Sequence, residues 1–208
     1  MRLVTRVAIV GVLLVLAQGF AAAQGPFGGF GGNPVMLLGQ ESVQKELKLT
    51  DDQIKKVQEL GEKMREKFQE IFGLDEAERP KKMQELNEEN RKAIAAFLKP
   101  EQDKRLNQII YQRQGPAAFA NPEVAKALGL NAEQKDKVQT INQETGKAMR
   151  ELFTPGQPPD DETRKKMDDL RKSSGEKLLA LLTAEQKTKW KDLQGEPFKG
   201  EIRFGPPR

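Results

Sequence analysis

The sequence predicts an all-α protein made of two tandem helical-hairpin repeats of about four helices each, elongated or cradle-like in outline. Three observations lead there. The pattern Leu-x-x-[Asp/Glu]-Gln occurs four times: LTDDQ at 49–53, LKPEQ at 98–102, LNAEQ at 130–134 and LTAEQ at 182–186. The four copies fall into two pairs, offset by 81 residues (Leu49 to Leu130) and by 84 (Leu98 to Leu182). Apolar residues recur at spacings of three and four, and no segment alternates with a period of two, so no sheet is expected.

The motif is a helix start. In Thr50-Asp51-Asp52-Gln53 the Thr hydroxyl can accept from the amide of Gln53, and Gln53 can reach back to the amide of Thr50; this is a capping box. Asp51 and Asp52 then lie where the helix dipole favours negative charge, and Leu49 can staple onto Ile54. Asn131 with Gln134, and Thr183 with Gln186, repeat the arrangement. The copy at Leu98 departs from it: Lys99 is a poor cap, and Pro100 at the first helical position compensates with its preset dihedral before Gln102. The staple weakens after Leu98, Leu130 and Leu182, where Asp103, Lys135 and Lys187 take the place of Ile54.

These starts order the elements. A short helix is expected over 40–47 and its counterpart over 123–128. Long helices follow over 51–72 and 132–153, then over 80–98 and 161–182. Last helices run over 100–113 and 184–193. Lys81-Lys82-Met83-x-x-Leu86 matches Lys165-Lys166-Met167-x-x-Leu170 at the second offset, and the three added residues fall in the turn around Pro155–Pro159, which reads as an internal duplication. The apolar stripes are narrow, as in hairpins with coiled-coil-like packing. Both carry one polar seam residue, Asn90 and Ser174, whose expected meaning is register or a shared hydrogen bond.

The flanks read differently. Residues 1–23 form a signal peptide: Arg2 and Arg6 precede an apolar run over 7–16 too short to span a bilayer, and Ala21-Ala22-Ala23 supplies small residues for cleavage before Gln24. The expected destination is the periplasm, with secretion beyond it as the other outcome. Residues 24–39 form a Gly-rich linker that opens QGPFGGFGGN. The first repeat covers 40–115, the second 116–194, and 195–208 is a flexible tail.

Composition narrows the function. The net charge of +4 falls to +2 once Arg2 and Arg6 are gone, and lysines and glutamates are interspersed, so no nucleic-acid partner is expected. There is no cysteine and no histidine. The usual ligands for zinc, copper and nickel, the commonest general base and the thiol nucleophile are therefore missing, and neither a metal, a cofactor nor an enzymatic activity is expected. Hydrophobic residues make up 37 % of the chain, below the usual ~45–50 %. That suits open hairpins that wrap something better than a thick core.

A half with a leading LTxxQ-type motif, a long hairpin and a second such motif resembles the Spy/CpxP family of periplasmic proteins. The resemblance covers 43–110 and again 124–193, on Leu49, Thr50, Gln53, Leu98, Gln102, Leu130, Asn131, Gln134, Leu182, Thr183 and Gln186. It implies an all-helical fold, a cradle-shaped antiparallel homodimer, and activity as an ATP-independent chaperone or envelope-stress modulator; some relatives sense or buffer metals. Here the duplication implies that one chain could mimic the dimer, and the absence of histidine argues against the metal-responsive branch. The partners implied are unfolded or partly folded proteins, held by weak apolar and basic contacts. Candidate contacts are Met64, Met83, Met149 and Met167 as adaptable apolar groups. Phe72, Phe97, Ile110, Tyr111, Phe119, Phe153 and Trp190 are further candidates, with ordinary core packing as the other reading of each. A periplasmic sensor or signalling partner and a structural helical spacer are the alternative functions.

Overall fold

The computed structural model describes residues 32–152 and 158–203. Its first element is one the composition hides. The Asn33 side chain accepts from the amides of Val35 and Met36 at 3.0 and 3.3 Å, and Pro34 occupies the first turn. An Asn cap followed by Pro is a strong start, and it nucleates α1, Pro34–Leu38. Leu37 and Leu38 are fully buried. The end of the expected linker is thus a hydrophobic plug, because two adjacent leucines gain more from burial than a short segment loses in ordering.

The next elements follow the motif grammar. α2 runs Glu41–Leu47, α3 Asp51–Phe72, α4 Arg79–Ala95 and α5 Pro100–Gln114. A 3₁₀ turn over Gly115–Ala120 leads to α6, Pro122–Leu128. Then come α7 Ala132–Glu151, α8 Asp161–Ala180 and α9 Ala184–Gln194. All described regular structure is helical. Expected and observed bounds agree to within about three residues. The largest differences are at the ends of α4, α7 and α8, which stop before residues 98, 153 and 182. There the chain must turn and free its carbonyls for other donors.

α3 packs on α4 and α7 on α8 as two hairpins. α1 touches α2, α3 and α4, while the 3₁₀ turn touches α6, α7 and α8 in the other half. The offset of 81 that relates the motifs also relates these plugs: Leu38 corresponds to Phe119, each fully buried. α5 lies against α9, and the 3₁₀ turn also touches α5, so the plug of the second half sits where the halves meet. Trp190 of α9 meets Phe119 edge-on at 4.9 Å and Tyr111 of α5 at 6.3 Å between ring centroids. Such pairs add about 0.5–1.5 kcal/mol each beyond area burial. Burial also pushes the Tyr111 phenol above its ordinary pKa. Arg91 of α4 reaches Glu123 of α6 at 3.4 Å across the same joint.

The C-terminal stretch is not loose over its described part. Arg105 and Gln112 of α5 donate to the Glu196 carbonyl at 2.7 and 2.8 Å, and the Phe198 amide donates to Gln112 Oε1 at 2.8 Å. The Arg203 amide donates to Gln40 Oε1 at 3.0 Å, and Ile202 is buried. Sequence periodicity misses this segment because side chains of α5 and its neighbours, not a helix of its own, satisfy its backbone. No helix among the described residues is long and apolar enough to cross a membrane.

Candidate functional site

The four motif glutamines meet in pairs. Gln53 and Gln102 join their carboxamides face to face, with Nε2–Oε1 distances of 2.8 and 3.2 Å. Gln134 and Gln186 do the same at 2.8 and 3.0 Å. Each Oε1 also accepts the amide of its own cap residue: Thr50, Lys99, Asn131 and Thr183, at 2.9–3.0 Å. Each remaining Nε2 proton goes to a carbonyl at a neighbouring helix end. Gln53 donates to Phe97 O and Gln134 to Leu181 O, both at 2.8 Å. Gln102 donates to Leu47 O at 3.0 Å, and Gln186 to Gly129 O at 3.3 Å. One carboxamide therefore caps a helix start, closes a helix end and bonds its partner. The clasp ties four helix termini together in each half.

This explains why the motif insists on Gln. A Glu in its place keeps the acceptor and loses both donors, so the clasp would face a carbonyl with an unpaired oxygen. It explains Lys99 as well. Lys99 has no acceptor in its side chain, so only the returning half of the capping box exists there, and Gln102 supplies it. Capping alone accounts for Thr50, Asn131 and Thr183, which accept from Gln53, Gln134 and Gln186 respectively. Leu98, Leu130 and Leu182 are buried beside the clasps and Leu49 packs against the same core. The leucines and glutamines hold helices together and are buried or half-buried, while the cap residues Thr50, Asn131 and Thr183 stand exposed at the helix starts.

The candidate contact residues separate into three groups. Ile110, Tyr111, Phe119 and Trp190 lie in the core, each at most 8 % exposed, and this burial corrects their reading as partner contacts. Aromatic side chains where the halves meet have more to bury than a hairpin face offers. Met64, Met83, Met149 and Met167 line the hairpin seams half-buried, and Phe97 is half-buried against the core. Phe72 is 59 % exposed at the end of α3, stacked near Phe68 and under Arg79. Phe153 lies outside the described residues.

The seams are thin. Val138 is the one fully buried residue of the twenty in α7, and α8 has only Ser174 and Leu178. In the second hairpin Ser174 shares a 2.9 Å hydrogen bond with Thr145 across the seam. At the matching place in the first hairpin Asn90 faces the register position of Met64, and its Nδ2 is buried without a partner. The outer faces carry ion pairs one turn apart, such as Glu133–Lys137 and Glu185–Lys189, both exposed and individually worth little.

A groove of about 510 Å³ opens on the second half between the 3₁₀ turn, α6 and α7. Phe119, Ala125 and Val138 form its buried floor. Gln139, Asn142, Gln143 and Lys135 stand at its rim. Sequence reasoning did not single it out. The available signal was Lys135, which breaks the staple that Ile54 completes in the first half. Among the described residues no cluster of three or more metal-ligating side chains occurs. No family model, no curated protein and no solved structure matches the chain.

Proposed function

We propose that this chain is an exported, ATP-independent chaperone or envelope-stress adaptor that holds unfolded or partly folded proteins on its hairpin surfaces. We further propose that its halves are two duplicated units of the Spy/CpxP type in one polypeptide. The observation that carries the reading is the pair of long hairpins whose apolar seams stay half-open. Met64, Met83, Met149 and Met167 are each partly exposed there, flanked by both signs of charge, with exposed Phe72 at one tip. Flexible thioethers adapt to varied apolar segments, and interspersed lysines hold acidic or extended chains weakly enough to release them. The motif pairing supports the family assignment. The rigid clasps support the mechanism, since they fix the hairpin bases while the seams remain available.

The test is light scattering of a denatured client in the absence of ATP, using the chain that begins at Gln24. Suppression is expected at near-stoichiometric amounts. Replacing Met64, Met83, Met149 and Met167 together by Ser should weaken it, while the circular dichroism spectrum keeps its helical form. No suppression by the unaltered chain refutes the reading. Multi-angle light scattering decides between a self-contained monomer and a dimer of such chains.

A further inference from the structure

The surface that holds residues 195–203 is braced without them. Gln102 of α5 donates to the Leu47 carbonyl that ends α2. The Arg105 guanidinium of α5 meets Glu46 Oε1 of α2 at 2.6 and 2.8 Å. Gln44 ties α2 to α1 by donating to the Leu38 carbonyl at 2.8 Å. The side chains that receive the C-terminal segment therefore stand on helices already fixed to one another.

The segment is recognised through its backbone. Arg105 and Gln112 donate to the Glu196 carbonyl, and Gln112 Oε1 accepts the Phe198 amide. The Ser42 hydroxyl donates to the Glu201 carbonyl, and Gln40 Oε1 accepts the Arg203 amide. Every residue except proline carries both groups. Such bonds ask for an extended path, and selectivity is left to the side chains that point inward. There are two of these. Ile202 is buried, and Phe198 is half-buried against the core. Gly200 lies between them and presses on the track: a Cβ there would stand 2.3 Å from the Phe198 ring and 2.8 Å from Ser42 Cβ. The track thus reads apolar-x-Gly-x-apolar. Charge adds little, because Lys199 is exposed and the Glu201–Arg203 ion pair is open to solvent.

The segment holds on lightly. Six of its nine residues are exposed, and Ile202 alone is buried. Among the described residues beyond Gly195, none bonds its backbone to another backbone group. A stretch with so few buried contacts opens locally at a small fraction of the cost of global unfolding. Opening leaves Gln40, Ser42, Arg105 and Gln112 in place beside the apolar recess of Ile202, with their donors and acceptors unspent.

We propose that the track over Gln40, Ser42, Arg105 and Gln112 is a peptide-binding site. Residues 195–203 fill it as a displaceable internal ligand, and it accepts an extended segment of another polypeptide with the pattern apolar-x-Gly-x-apolar. The site is built on α2 and α5 and not on the hairpin seams, so it stands or falls separately from the chaperone reading.

The probe is a fluorescein-labelled peptide GEPFKGEIR, the sequence of residues 195–203, titrated into the chain that begins at Gln24 and read by anisotropy. A tethered occupant competes at an effective concentration on the order of millimolar, so binding to the unaltered chain should be weak. Phe198→Ser with Ile202→Ser in the chain should release the segment, keep the helical circular dichroism and tighten peptide binding by about ten-fold or more. Adding Gln112→Ala to that chain should abolish the gain, and so should a peptide whose glycine at the place of Gly200 is alanine. A second readout needs no variant: excess peptide should speed hydrogen exchange at the Phe198 and Arg203 amides of the unaltered chain and leave the Gln53 amide as it was. The proposal is overturned if the released, helical chain binds the peptide no better than the unaltered one, or if the alanine peptide binds equally well. Unchanged exchange at Phe198 and Arg203 under excess peptide overturns it too. Pairwise association of unaltered chains through exchanged segments, with no effect of the peptide, assigns the track to a second copy and likewise overturns it.

Discussion

The two halves of the molecule share their backbone bonding and differ in what their helices carry sideways. Gln53–Gln102 and Gln134–Gln186 make the same mutual pair and the same bonds to the carbonyls of Phe97 and Leu181, at an offset of 84, whereas Gln102 bonds Leu47 O most closely and Gln186 bonds Gly129 O. The seams do not match: Met64 and Asn90 stand where the second half has Thr145 and Ser174. Nor do the flanks, where Gln44 and Ile54 take the places of Ala125 and Lys135, two of the residues that line the groove. The difference teaches which constraints are strict. A group that satisfies buried backbone has no substitute nearby, whereas an apolar seam accepts any side chain of suitable volume.

The largest effect is expected at the clasps. Gln53→Ala removes half a capping box, the bond to the Phe97 carbonyl and the partner of Gln102. Stranding buried amides in this way should cost about 2–3 kcal/mol in urea unfolding. Gln134→Ala should cost less, about 1 kcal/mol, because Gln134 is only partly buried and water can replace its partners. Equal losses in the two halves would break the comparison. Combining Gln53→Ala with Gln102→Ala should cost less than the two changes summed, since both act on one contact.

The seams come next. Asn90→Leu removes a buried amide that has no partner and should raise stability by about 1 kcal/mol. Ser174→Leu removes a paired hydroxyl and crowds the seam, and should lower it by about 1 kcal/mol or more. Opposite signs in thermal unfolding would sharpen the contrast, and matching signs would remove it.

Smaller again is the left-handed residue that ends α2 and α6. Lys48 holds φ 51° where Gly129 holds φ 67°. A side chain in that region costs about 1 kcal/mol relative to glycine. Lys48→Gly should therefore raise the melting temperature and Gly129→Ala lower it. A Cβ on Gly129 would meet nothing within 4 Å, so the loss measures backbone conformation alone.

The smallest effect is set by pH. The Thr163 side chain and amide hold the Asp160 carboxyl below its ordinary value of 3.8. A carboxyl lowered in the folded state contributes in full above its unfolded value, and the contribution fades as pH falls through the lowered value. The Thr163 amide should therefore exchange faster with solvent below about pH 4. Glu78 makes no side-chain cap bond at the start of α4, so the first hairpin should show no such change. Asp160→Asn should flatten the response.

Much of this was legible in the chain. Thr50, Asn131 and Thr183 announced their helices through local chemistry, since a cap acts within one turn of itself. α1 was hidden by the glycines before it, although Asn33-Pro34 carries a start signal as good as Asn121-Pro122. The glutamine clasps could be read only in part. Gln53 to its own cap is a local bond, while Gln53 to Gln102 spans 49 residues and has no trace in periodicity. The same holds for Trp190, whose single aromatic character fits a client contact or a core equally until Phe119 is seen edge-on beneath it.

The sequence by itself determined where the motif helices start, that the motif recurs at offsets of 81 and 84, and that the chemistry of thiols and imidazoles is missing, because these depend on neighbouring residues and on composition. Only the tertiary structure decided that the motif glutamines pair, that four aromatic and aliphatic candidates are core, and that a groove opens on the second half. Those outcomes rest on which distant helix ends meet, and the free energy of such meetings comes from burial and paired amides that no local stretch of chain contains.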